Sequence, residues 1–210
     1  VALSALENKV IDTKFKVKCT GKMELYGQTF HCWKEKGHGW VSLKNAMKQS
    51  CDTYFYEVAR LLGVDRLNIT AEKFGLGKKV LGDYFDNEKK GLFPNTKWKK
   101  NNLGKGWVLG ETLITGIGQG YTQTTPLQLC MMTAQIANGG FAVKPKIIVD
   151  SNPISYEDAK QSMESGLLFD TKTEKLLDKK LFKNQKNIKI VQEAMFSSTN
   201  ERFGTSYKSR

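Results

Sequence analysis

The sequence has 210 residues and carries 33 Lys and Arg against 21 Asp and Glu, which gives a net charge of +12. This length allows one domain with a sizeable core or two small domains, and the lack of a continuous apolar run of about 18 residues predicts no membrane span. Nearly all of the positive charge is lysine, whereas nucleic-acid readers favour arginine. The charge therefore favours a solvated Lys-rich surface. Attraction to anionic lipid or an acidic envelope polymer, and then nucleic-acid binding, are the alternatives.

The first eight residues have the apolar pattern of an amphipathic helix, but no start Met and no N-cap precede them. This predicts that the chain begins inside a helix and is a fragment of a longer protein. Residues 14–33 predict a loop with short extended segments, because Phe15 to Cys19 alternates and glycines stand at 21 and 27.

Two helices are predicted to meet at the triplet Ser50-Cys51-Asp52. Ser42 suits the N-cap of a helix that runs to Lys48, and Asp52 suits the N-cap of a second helix that stops at Gly63. N-capping by Asp52 would by itself explain the triplet, so the triplet alone does not indicate chemistry.

The rest of the chain gives weaker signals. Residues 77–112 are rich in Gly, Lys and Asn and predict an extended surface excursion with little regular structure. Thr125-Pro126 predicts a helix start, and Cys130 in the apolar run that follows is predicted to be a core residue. Residues 143–149 suggest a strand, residues 150–186 a polar insertion, and residues 187–196 a last amphipathic helix.

Cys19, Cys32, His38 and Cys51 lie within about thirty residues at the spacing Cys-x12-Cys-x5-His-x12-Cys. Three thiolates and an imidazole complete a tetrahedral Zn²⁺ shell, and four protein ligands indicate a structural zinc. A Cys19–Cys32 disulfide and simple free thiols remain open alternatives.

The segment Gly116-Ile117-Gly118-Gln119-Gly120 is rich in glycine but lacks the spacing of a phosphate-binding loop. It is better interpreted as backbone that must pass close to another element.

These motifs occur together in a known order. Gly37-His38-Gly39, Ser50-Cys51-Asp52-Thr53, Gly116 to Gly120, Thr125-Pro126 and Ala137 to Gly140 resemble the class B penicillin-binding proteins, and within them the elongation-type D,D-transpeptidases. The resemblance covers residues 1–150 and resumes at about 191–207, whereas residues 150–186 diverge.

The resemblance implies an α+β fold: one partial transpeptidase domain over residues 1–210, the helix-dominated part of a serine β-lactamase-like domain with most of its sheet missing. The family uses the motifs Ser-x-x-Lys, Ser-x-Asn or Ser-x-Asp, and Lys-Thr/Ser-Gly, and only the second occurs here, as Ser50 and Asp52. We expect the first motif upstream of Val1 and the third after Arg210, and therefore expect the fragment itself to be inactive.

By the same resemblance, Ser50 would help to shuttle a proton and Asp52 would orient the substrate peptide. Zinc would lie beside this motif, with Cys32, His38 and Cys51 fitting the family best and Cys19 least. The expected ligands of the intact protein are peptidoglycan stem peptides and β-lactams, and the expected partner is a shape-determining glycosyltransferase. The expected location is the periplasmic face of the bacterial inner membrane, with the anchor outside the fragment. The alternative is a non-enzymatic, zinc-stabilised binding module of the cell envelope.

Overall fold

The computed structural model describes residues 1–81, 87–145 and 180–209. Helices dominate this part of the chain, and none of those described is long and apolar enough to cross a membrane. The eight α-helices of the described residues are α1 (Ala2–Glu7), α2 (Leu43–Lys48), α3 (Asp52–Leu62), α4 (Val64–Lys73), α5 (Thr96–Leu103), α6 (Leu109–Gly116), α7 (Pro126–Ala137) and α8 (Gln185–Asn200).

Two short antiparallel sheets complete the described structure, as expected for a helix-dominated α+β fold. In the first sheet, β1 (Lys16–Cys19) pairs with β4 (Gly39–Ser42). In the second, β2 (Lys22–Leu25) and β3 (Gln28–His31) form a hairpin. Tyr26 and Gly27 join these strands, both with positive φ, as a two-residue hairpin turn requires.

Helix α3 lies at the centre of the core and packs against α1, α6 and β1. Its residues Tyr54, Val58 and Ala59 are fully buried. Helix α8 packs against α1 and α2, so the last of the described α-helices contacts the first. The junction between α2 and α3 is therefore held from several sides.

Most of the predicted helices are confirmed. Gly63 ends α3 as predicted, and the Thr125 side chain caps α7 by accepting a hydrogen bond from the Gln128 N–H, with Pro126 at the first helical position. Ser42 stands at the N-cap of α2, although its side chain makes no capping hydrogen bond.

Two expectations about secondary structure and burial are wrong. The low regularity expected for residues 77–112 is wrong for residues 96–103 and 109–112. Residues 96–103 form α5, because the Asn95 side chain caps its start and Gly104 ends it in the left-handed conformation, and residues 109–112 begin α6. Cys130 is exposed, because the half-buried α7 turns this position away from the core. The predicted strand at 143–149 and the polar insertion at 150–186 lie mostly outside the described residues.

The close approach expected at Gly116 to Gly120 is confirmed at Gly116, where α6 meets α3. A Cβ at Gly116 would lie 2.4 Å from the Cβ of Ala59 and 3.2 Å from the carbonyl oxygen of Phe55. Only glycine allows the two helices to pack at this distance.

Replacing Gly116 with alanine is therefore expected to lower the free energy of unfolding by about 1–3 kcal/mol, because the overpacking outweighs the helix preference of alanine. Urea denaturation of the intact protein measures this difference. Gly106→Ala is the matched control, since nothing lies within 4 Å of its added Cβ and its φ lies outside the left-handed region that side chains avoid. Equal stability of the two variants would contradict the prediction.

Candidate functional site

The turn between α2 and α3 places Ser50 in a strained conformation. Ser50 has a φ of 50°, the left-handed region that non-glycine residues rarely adopt. Two backbone hydrogen bonds fix this turn, from the Ser50 N–H to the Met47 carbonyl and from the Cys51 N–H to the Ala46 carbonyl. Such strain persists where surrounding structure enforces it and is frequent at functional sites. The Ser50 side chain is exposed beside the buried Cys51.

Asp52 does not cap α3. Cys51 is the N-cap residue, and Asp52 is the first residue of the helix. Its carboxylate Oδ2 accepts a hydrogen bond from the backbone N–H of Trp33 at 2.9 Å, and the Trp33 indole Nε1 donates to the Gln49 carbonyl at 3.0 Å. Asp52 thus ties the segment after Cys32 to the junction, and its charge is favourable at a helix N-terminus.

The Ser50 hydroxyl lies 2.8 Å from the hydroxyl of Thr205, which is 155 positions away in sequence. The Thr205 N–H also donates to the carbonyl of Lys48 at 3.0 Å. The family resemblance at about residues 191–207 includes Thr205 but does not connect it with Ser50. No local pattern could reveal this contact, because α8 brings the two segments together.

The four predicted metal ligands converge in the structure. Their ligand atoms all lie within 4.8 Å of one another, the three cysteines are buried, and His38 is half-buried. All four cysteines of the chain, Cys130 included, are free thiols, so the Cys19–Cys32 disulfide is not formed. The ligands come from separate elements: Cys19 ends β1, Cys32 follows β3, His38 precedes β4, and Cys51 caps α3.

Strand pairing produces this convergence. In the first sheet Cys19 pairs with Gly39, the neighbour of His38, and in the hairpin Lys22 pairs with His31, the neighbour of Cys32. The Cys32 N–H also donates to the carbonyl of Gly21. Both sheets therefore deliver their ligands to the N-terminus of α3.

The distances suit tetrahedral zinc. His38 Nδ1 lies 3.5 Å from Cys19 Sγ and 3.6 Å from Cys32 Sγ. Ordinary zinc–sulfur and zinc–nitrogen bonds at a tetrahedral angle give a nitrogen–sulfur separation of roughly 3.6 Å. The donor set and its spacing therefore fit zinc.

The thiols of Cys19 and Cys51 have pKa values shifted in opposite directions. Burial acts to raise the pKa of Cys19, but hydrogen bonds with the Thr53 hydroxyl, the His38 ring and nearby backbone groups outweigh it and lower the pKa to about 6. Burial raises the pKa of the Cys51 thiol, and the neighbouring Cys19 charge adds to this effect. Thiolate charges this close to one another repel, and a cation between them would offset that repulsion.

Residues 1–209 match the family described as the penicillin binding protein transpeptidase domain. The sequence is 39% identical over 149 residues to the peptidoglycan D,D-transpeptidase MrdA of Acinetobacter baumannii, covering 70% of this chain and 22% of that protein. The chain thus spans less than a quarter of the length of this curated relative.

Solved structures show the same fold. The crystal structure of Pseudomonas aeruginosa PBP2 in complex with WCK 5153 aligns with a TM-score of 0.81 at 34% identity, covering 99% of this chain and 44% of that chain. The Helicobacter pylori complex of penicillin-binding protein PBP2 with MreC aligns with a TM-score of 0.78 at 28% identity, covering 99% and 35%. These similarities confirm the expected fold class.

Proposed function

The chain belongs to the penicillin-binding protein transpeptidase domain family, and on that basis we propose that it is part of a peptidoglycan D,D-transpeptidase that cross-links stem peptides. The observation that carries the proposal is the Ser50-x-Asp52 pair at the α2–α3 junction, inside a family match that spans residues 1–209. The relative MrdA of Acinetobacter baumannii is named for the same activity.

We propose that the reaction proceeds through a serine acyl-enzyme, as in other serine acyl transfers. No serine in the 210 residues has a lysine three positions later, so the nucleophile belongs to another part of the intact protein. In this scheme the exposed hydroxyl of Ser50 passes a proton between the nucleophile and the departing amine. A hydroxyl suits this role because it both donates and accepts a hydrogen bond.

Asp52 has a different part in the proposal. An ionised carboxylate only accepts hydrogen bonds, so it would bind a substrate amide N–H or a cationic group. Oδ2 is already occupied by the N–H of Trp33, and this contact fixes the carboxylate at the start of α3. Oδ1 would then accept from the substrate peptide.

We further propose that Cys19, Cys32, His38 and Cys51 hold a structural Zn²⁺. The close fit of Cys19 Sγ to His38 Nδ1 supports including Cys19 in the shell. When bound, the metal supplies charge that keeps the thiols ionised and joins both sheets to α3. Because Cys51 lies between Ser50 and Asp52 in sequence, its place in the metal shell would fix the backbone that carries both side chains.

The location and partners of the intact protein follow from the same assignment. We propose that it acts at the periplasmic face of the bacterial inner membrane, binds β-lactams, and works with a glycosyltransferase that polymerises glycan strands. The solved complex of the Helicobacter pylori PBP2 with MreC shows that a similar protein assembles with a partner, which supports a partner for this one.

Labelling the intact protein with a fluorescent penicillin tests the proposed function. We expect a covalent adduct that excess unlabelled penicillin prevents. Peptide mapping should place it outside these 210 residues, because they contain no Ser-x-x-Lys motif. An adduct on a serine within residues 1–210 would contradict the expected position of the nucleophile. An intact protein that binds zinc but is never acylated would instead support the non-enzymatic binding module.

A further inference from the structure

Backbone hydrogen bonds hold the loop after α8, residues 201–206, against the α2–α3 junction. The Thr205 N–H donates to the Lys48 carbonyl at 3.0 Å, and the Ser206 N–H donates to the Ser198 carbonyl at 3.2 Å. These bonds join the loop to the last residue of α2 on one side and to α8 on the other. Thr205 is therefore held beside Lys48, which is two residues before Ser50 in sequence, rather than lying at a free loop tip.

An ionic anchor holds the start of this loop. The Glu201 carboxylate is 2.8 Å from Lys44 Nζ and 2.8 Å from Lys48 Nζ, and it accepts a hydrogen bond from the Ser197 hydroxyl at 2.9 Å. Hydrogen bonds from Lys44, Lys48 and Ser197 lower the pKa of Glu201 to about 2. The carboxylate is thus ionised at neutral pH, and it joins the end of α8 to α2.

Gly204 lets the loop fold tightly back on α8. A Cβ at this position would lie 2.1 Å from the carbonyl oxygen of Ser198, a distance that no side chain tolerates. The glycine therefore brings the next residue, Thr205, against the α2–α3 junction.

The Ser50 hydroxyl contacts this loop through Thr205. Among the residues that the structure describes, its hydrogen-bond partner is the Thr205 hydroxyl at 2.8 Å. The left-handed backbone of Ser50 fixes the direction of its Cβ, but the hydroxyl still has three staggered rotamers. The bond to Thr205 selects one of them.

We infer that Thr205 is a positioning residue for Ser50, a role that rests on the proposed proton transfer by Ser50. Thr205 holds the serine hydroxyl in one rotamer, and because its own hydroxyl both donates and accepts, it follows Ser50 whether that group gives or takes a proton. Its second neighbour, the Ser198 hydroxyl at 3.3 Å, provides a partner when Thr205 turns its proton away from Ser50.

The test compares Thr205→Val, Thr205→Ser and the control Thr199→Val in the intact protein. Thr199 lies on α8, and its hydroxyl donates to the Phe196 carbonyl rather than bonding to Ser50 or Thr205. We expect Thr205→Val to slow acylation at saturating fluorescent penicillin roughly tenfold, the effect of one lost hydrogen bond, with the half-saturating concentration unchanged. Thr205→Ser should restore the rate, and Thr199→Val should leave it normal.

A double-mutant cycle with Ser50→Ala shows whether Thr205 acts through Ser50. Thr205→Val should have no further effect in the Ser50→Ala background. An additional tenfold loss there, or a folded Thr205→Ser variant as slow as Thr205→Val, would overturn the inference. Normal acylation by Thr205→Val beside a slow Ser50→Ala would also overturn it, while leaving the proposed function intact. Normal acylation by Ser50→Ala would remove the role of Ser50 itself and with it the basis for Thr205.

Discussion

Replacing Ser50 with alanine in the intact protein is expected to slow acylation by a fluorescent penicillin at least about 100-fold, the usual contribution of a general acid–base group. The fold should be unaffected, because alanine and serine both carry a Cβ and bear the same strain at a φ of 50°. The measurement is the time course of labelling at saturating penicillin, together with the melting temperature of each variant.

Two further variants separate chemistry from structure at this position. Ser50→Gly should lose the same activity but gain stability, because glycine adopts positive φ without strain. Ser42→Ala makes the same chemical change at the start of α2, where the side chain forms no capping bond, and should label normally. A Ser50→Ala protein that labels at the normal rate would rule out the proton-transfer role.

Stripping zinc from the intact protein with a strong chelator is expected to lower its melting temperature by about 10 °C. Zinc present at about a thousand times its dissociation constant stabilises the folded state by about 4 kcal/mol. For a cooperatively unfolding domain of about 150–250 residues, each kcal/mol corresponds to about 2–4 °C. Calorimetry before and after chelation, with the zinc content measured in parallel, gives the comparison.

Cysteine substitutions assign this effect to the site. Cys51→Ser should reduce the bound zinc and the melting temperature, whereas Cys130→Ser makes the same change at an exposed thiol and should alter neither. Because Cys51 stands between Ser50 and Asp52, loss of the metal should also slow acylation. An unchanged melting temperature after complete removal of zinc would contradict a structural metal.

Much of the local structure could be predicted from the sequence. Thr125-Pro126 and Gly63 set helix ends through backbone conformations and capping bonds that involve neighbouring residues. The cysteine and histidine spacing likewise identified all four members of the cluster, because few other residue types bind zinc. These signals depend on neighbouring residues or on residue type alone, so they can be recognised without knowledge of the fold.

The wrong predictions have a shared physical cause. Aspartate is a residue type that favours the N-cap position, but the Asp52 carboxylate accepts a hydrogen bond from the Trp33 N–H. Strand pairing brings Trp33 to the junction. Cys130 lies in an apolar run, yet which face of α7 is covered depends on what packs against it. Local propensity allows more than one structure at such positions, and tertiary contacts determine which of them forms.

The sequence by itself determined most of the helices, the three cysteines and the histidine that converge, and the Ser50-x-Asp52 motif. Only the tertiary structure decided how they combine: the pairing of Cys19 with Gly39 closes the cysteine–histidine cluster, and α8 carries Thr205 to Ser50 across 155 positions. Residues so far apart meet through sheet register and helix packing, which are properties of the whole core. A pattern of neighbouring residues does not contain that information.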